Sequence, residues 1–108
     1  MPEAAAAVVL VTAPSQEVAE QITTTIVQER LAACGNIVPG IASIYRWQDE
    51  VQRAAEVLIV FKTKSDSVQR LTERVQQLHP YEVPEVIALP VSAGSAEYLR
   101  WVAANATG

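Results

Sequence analysis

The chain has 108 residues and a mass of 11.7 kDa, a size that suggests one domain and excludes two. Half of its residues are hydrophobic and 19% are charged, so it builds a core and is not disordered in bulk. A net charge of -4 argues against a large phosphate-binding face, while the single cysteine and single histidine exclude an internal disulfide framework and a multi-cysteine zinc site.

Ala4 to Val11 is apolar but short, and it follows Glu3 with no basic segment before it. A membrane span needs roughly 20 apolar residues. The expectation is a soluble cytoplasmic protein in a reducing compartment, with no membrane partner. Within this stretch Ala7 to Thr12 is an unbroken β-branched run and reads as a strand covered on both sides. Pro14 and Ser15 open a helix, with Ser15 as N-cap and Glu17 and Glu20 near its positive end. Val18, Ile22, Ile26 and Ala33 fall on or near one face, and Gly35 is the natural stop.

Asn36 to Gly40 reads as a short extended piece ending in a turn, and Ile41 to Trp47 as a strand. Gln48, Asp49 and Glu50 turn the chain into a second extended stretch, Val51 to Lys64, completing a hairpin. Ser65, Asp66 and Ser67 cap a second helix whose stripe is Val68, Leu71, Val75 and Leu78. That helix ends at His79 because Pro80 follows. Tyr81 to Glu85 is a loop braced by Pro80 and Pro84, Val86 to Leu89 a strand stopped by Pro90, and Ser95 the cap of a third helix. Ala103 to Gly108 reads as a frayed tail.

Strand, helix, strand, strand, helix, strand, helix fits an α+β, ferredoxin-like split βαβ sandwich with an antiparallel sheet. The hairpin is long for this size. Its Val51–Lys64 arm would reach about 45 Å at ~3.3 Å per residue, against a radius of gyration of ~13 Å for a compact domain of this length. The arm must bend, break or project. A projecting hairpin has unpaired edges, and strand addition between identical chains covers them. The sequence therefore predicts a homo-oligomer held by β-pairing, the alternative being a bulged hairpin inside a monomer.

Several side chains invite chemistry. Cys34 reads either as a thiolate metal ligand or redox thiol, or as a small buried hydrophobe. His79, Glu82 and Glu85 are suited to a divalent cation, yet the intervening prolines prevent a shared helical face, and His79 alone could serve the helix C-terminus. Tyr45, Arg46, Trp47 and Tyr81 suit a small-molecule pocket or an oligomer interface, with Tyr45 and Trp47 on one strand face and Arg46 on the other. Lys62 and Lys64 are the only lysines and share a strand face, either as a local cationic spot or as a solvated strand end. No phosphate-binding, dinucleotide or nucleophile-elbow glycine motif occurs, so the reading is non-enzymatic. The glycine–aromatic signature of RNA-binding strands is also missing, so no nucleic-acid partner is expected.

Glu29-Arg30-Leu31-Ala32-Ala33-Cys34-Gly35-Asn36-Ile37, then Ile44-Tyr45-Arg46-Trp47, Lys62-Thr63-Lys64 and Leu78-His79-Pro80-Tyr81-Glu82-Val83-Pro84-Glu85-Val86-Ile87 resemble, in order and spacing, the motifs of the CutA divalent-cation-tolerance proteins. The resemblance covers nearly all of residues 7 to 104 of a single domain spanning 1–108. It implies a ferredoxin-like fold assembled as a homotrimer, similar to the PII-type signalling proteins, whose ligands sit in clefts between subunits. It implies binding of copper (Cu2+) or another divalent cation and a part in metal response, with Cys34, His79 and Glu82 as metal contacts. It places Tyr45, Trp47, Lys62, Tyr81 and Glu85 at the intersubunit cleft. Its alternative implication is a PII-like carrier or sensor of a small anionic metabolite, resting on Lys62 and the aromatic set.

Overall fold

A computed structural model describes residues 5–108. The start of the apolar stretch, at Ala4, lies outside the described residues. The elements are β1 (Ala6–Ala13), α1 (Gln16–Gln28), β2 (Cys34–Trp47), β3 (Glu50–Lys64), a 3-10 turn (Ser65–Ser67), α2 (Val68–Leu78), β4 (Val86–Pro90) and α3 (Ala96–Asn105). The strands form one sheet in the order β2-β3-β1-β4, and every neighbouring pair is antiparallel. This is the ferredoxin-like α+β arrangement, with a third helix added. Among the described residues no helix is long and apolar enough to cross a membrane.

Alternation decides the faces. Val9 and Val11 of β1 lie opposite Phe61 and Ile59 of β3, and all four are fully buried against Ile22, Ile26, Leu71 and Val75 of α1 and α2. The intervening residues Val8, Leu10, Leu58 and Val60 point to the other face and are only half-buried. Ser15 caps α1 as its sequence predicts, its side chain accepting the Val18 N–H at 3.2 Å. Ser95 does the same for α3 through the Tyr98 N–H.

Four expectations need correction. The first helix does not run to Gly35. It stops at Gln28, Arg30 takes a left-handed φ of 60°, and the Leu31 and Arg30 amides donate back to the Ile26 and Val27 carbonyls. This is a Schellman ending, which moves Ala33 off the helix while Leu31 and Ala32 still reach the core. Gly35 serves the packing of β2 instead of ending a helix. A Cβ there would lie 2.7 Å from Thr23 Cγ2 and 3.0 Å from the Phe61 ring, so only glycine lets β2 approach α1 this closely.

Pro39 and Gly40 do not end an extended piece. They form a β-bulge within one continuous β2, between the Val38–Leu58 and Ile41–Glu56 pairs, with Gly40 at φ 75°. The turn itself falls at Gln48 and Asp49, both left-handed, which is the hairpin geometry matching strand twist. The Ser67 hydroxyl does not cap α2. It is buried and donates to the Ala106 carbonyl at 3.3 Å, so the helix begins from a 3-10 turn instead. That bond, the burial of Ala106, and the Gly108 N–H donated to the Arg30 carbonyl at 2.8 Å mean that the C-terminal residues are packed, not frayed.

The hairpin projects as well as bulging. Among the described residues β1 pairs with β3 from Val57 to Lys64, so Glu50 to Glu56 has β2 on one side and no described strand on the other. The molecule measures 49 × 25 × 22 Å in consequence.

Candidate functional site

The site forms where the bulged hairpin leaves the sheet. Pro80 forces its predecessor out of the helix, and His79 adopts extended φ and ψ of -82° and 138°. Its ring, now buried, lies over the end of β1, 2.8 Å from its Nε2 to the Thr12 carbonyl, while Nδ1 accepts the Tyr81 N–H at 3.1 Å. A carbonyl only accepts and an amide only donates, so the ring is bonded as the Nε2–H tautomer. The His79 and Tyr81 rings stack at a tilt, centroids 4.6 Å apart. His79 thus pins the loop to the sheet and aims Tyr81 across it.

Tyr81 crosses to β3, where its hydroxyl donates to Glu56 Oε2 at 2.8 Å. Glu56 is 8% exposed, a nearly buried carboxylate at the head of the apolar Val57–Phe61 run. Burial, the bond to Glu56 and the Glu56 charge push the Tyr81 phenol up to about 12, so it remains a hydrogen-bond donor at neutral pH. Behind this pair opens a cleft of ≈ 620 Å³. Thr12 of β1 and Glu56 of β3 form its floor, and the β2 residues Ser43, Ile44, Tyr45 and Trp47 form one wall. Tyr81, Glu82, Val83 and Glu85 form the other wall. Tyr45 and Trp47 pair with Gln52 and Glu50, which puts them on one strand face as alternation requires.

Tyr45, Trp47, Tyr81 and Glu85 are therefore brought together, and Glu82 joins them. Lys62 is not. It pairs with Cys34 and Val8 toward the opposite end of β3, where its ammonium donates to Asn36 Oδ1. Cys34 Sγ lies 3.5 Å from the Tyr98 hydroxyl of α3, and the bond to Cys34, with burial, pushes the Tyr98 phenol up. The Cys34 level and the His79 level are separated by the β3 residues from Leu58 to Lys62, about 13 Å at ~3.3 Å per residue. One chain does not unite Cys34 with His79 and Glu82, and both ring nitrogens of His79 are already engaged. Among the described residues no group of three or more His, Cys, Asp or Glu side chains is gathered to hold a metal ion.

Glu56, Thr12 and Ser43 escape a reading of the sequence alone. A lone carboxylate beside Val57-Leu58-Ile59-Val60-Phe61 is the signal that was available for Glu56, since a charge bordering a buried strand needs a partner. No lysine or arginine lines the cleft among the described residues, so an anion finds no opposite charge there.

The four separated motifs and the fold coincide with one family over residues 7–105, described as CutA1 divalent ion tolerance protein. The chain belongs to the CutA1 divalent ion tolerance family. It is 55% identical over 98 residues to the divalent-cation tolerance protein CutA of Thermus thermophilus, covering 91% of this chain and 95% of that one. It is 50% identical over 92 residues to Protein CutA of Homo sapiens, covering 85% of this chain and 51% of that protein, so it spans about half the length of that relative. Among solved CutA structures, the Thermus thermophilus divalent cation tolerance protein (Cut A1) superposes with a TM-score of 0.91 at 54% identity, covering 93% of this chain and 97% of that one. CutA1 from Oryza sativa superposes with a TM-score of 0.93 at 45% identity, covering 95% and 94%.

Proposed function

We propose that this CutA1 family member is a non-enzymatic, cytoplasmic homotrimer that binds cations in metal-ion tolerance. In this reading the cation is taken at the acidic cleft, and copper(II) is the first ion to test. One observation carries the reading: Glu56, Glu82 and Glu85 line a single cleft whose lining holds no lysine or arginine among the described residues. Three carboxylates facing one concavity attract positive charge and repel negative charge. The donor set within one chain does not close a copper or zinc site, since Cys34 lies at the start of β2, beside Lys62 and away from the cleft, and both ring nitrogens of His79 are engaged. A bare ion held there has carboxylate oxygens as its protein ligands, an arrangement favouring modest affinity.

Assembly is favoured by the unpaired Glu50–Glu56 edge of β3 and by the apolar sheet face bearing Leu10, Val60 and Ile87. The test is calorimetric titration of copper(II) and zinc into the wild type, a Glu82→Gln/Glu85→Gln variant and Cys34→Ala. The double variant is expected to lose at least about tenfold in affinity, with Cys34→Ala unchanged. An unchanged double variant, or a wild type that takes up neither ion, removes the reading.

A further inference from the structure

We propose that the cleft recognises an organic ammonium ion, a small cation carrying an apolar body, in preference to a bare metal ion. This inference rests on the reading of the cleft as a cation site and names the class of cation.

Size is the first argument. A cleft of ≈ 620 Å³ falls within the roughly 300–1,000 Å³ of sites that enclose small organic molecules. A metal ion needs only a few oxygen or nitrogen atoms converging at about 2 Å, and no such cluster exists among the described residues.

The walls give the second argument. Tyr45 and Trp47 share one strand face, and Tyr81 is held opposite by His79 and Glu56. Aromatic rings offer a metal ion no lone pairs, but their faces attract an alkylated ammonium, which sheds water at far lower cost than a divalent ion. Tyr45 and Trp47 are 45% and 59% exposed in the chain, and an apolar body laid against them removes that surface from water.

The floor gives the third. Glu56 is more than nine-tenths buried and lines the cleft. Tyr81 occupies its Oε2, and no hydrogen bond reaches its Oε1 among the described residues. The remaining carboxylate oxygen is free to accept from a cationic donor held in the cleft. Glu82 and Glu85 on the loop add to the field drawing one in. Aromatic walls around a carboxylate floor are complementary to an ammonium group on an apolar body.

The probe is choline, compared by calorimetry with its neutral carbon isostere dimethylbutanol, on the full chain and on Trp47→Ala and Glu56→Gln variants whose oligomeric state matches the wild type. Choline is expected to bind at least about tenfold more tightly than the isostere, and each variant to lose about tenfold. Choline is also expected to shift the Trp47 indole N–H resonance and leave that of Trp101 in place. Equal binding of choline and isostere, or no binding of choline, overturns the proposal. That second result covers a cleft filled by a neighbouring subunit. Copper(II) titrated into Trp47→Ala separates the two readings: metal uptake without choline binding ends this inference and spares the function proposed above. Choline binding without metal uptake does the reverse.

Discussion

Tyr81 carries the most information of any single side chain, because its hydroxyl joins the loop to β3 through Glu56 at 2.8 Å. Burial first, and then Glu56, raise its phenol from 10.0 to about 12. A folded value above the unfolded one means that the protonated form is favoured by folding. The resulting stability is fully present below about pH 10 and is lost as pH rises toward about 12. The side chain is 38% exposed, so solvent screens part of the effect. Tyr81→Phe is expected to destabilise the fold by about 1 kcal/mol at neutral pH, the worth of one hydrogen bond to a carboxylate at a half-open site. The gap between variant and wild type in urea melts should narrow as pH is raised through 10 to 12. A gap that is constant with pH would mean that Glu56 does not depend on this hydroxyl.

At the scale of elements, α1 shows why some boundaries were readable and others were not. Its start was legible because Ser15 behaves as its chemistry demands, and β1 and the centre of β3 were legible because β-branched runs have few other uses. Its end was hidden because Leu31-Ala32-Ala33 has good helix propensity, and the left-handed position that stops the helix is filled by Arg30 where glycine is usual. The glycine that follows, Gly35, serves tertiary packing against Thr23 and Phe61. The bulge at Pro39 and Gly40 is hidden for a similar reason, since the same turn-forming residues that end a strand elsewhere only bend this one. Arg30→Gly is expected to stabilise the chain by about 0.5–1 kcal/mol: a left-handed non-glycine residue costs about 1–2 kcal/mol, and glycine returns part of the gain through a freer unfolded state. The Arg30 carbonyl that accepts the Gly108 N–H is backbone and survives the change. Thermal and urea midpoints check the sign, and a loss of stability would show that the Arg30 side chain makes compensating contacts.

At the scale of the whole molecule, the sequence motifs carry many of the side chains that line the cleft and little of its charge logic. Tyr45, Trp47, Tyr81 and Glu85 line one cleft within the chain, while Lys62 lies farther along β3 from Glu56, a distance that spacing along separate segments does not disclose. The hairpin length was legible because chain reach is arithmetic, and its unpaired edge is one of the features behind the proposed assembly. On the sheet face away from α1 and α2, Ile87 and Leu89 of β4 pair with Leu10 and Val8, and Leu10 pairs in turn with Val60. Ile87 is 51% exposed and Leu89 47%. Monomers rarely show so continuous an apolar face. Leu89→Lys places a charge on that face without touching the buried core. On a free surface it would change stability by no more than about 0.5 kcal/mol. On a face pressed against two other copies it buries an unpaired ammonium, so light scattering after gel filtration should show the mass falling from a multiple of 11.7 kDa to the single chain. Circular dichroism distinguishes dissociation from unfolding. A variant that keeps both the wild-type mass and the wild-type melting point would show that this face is not where the subunits meet.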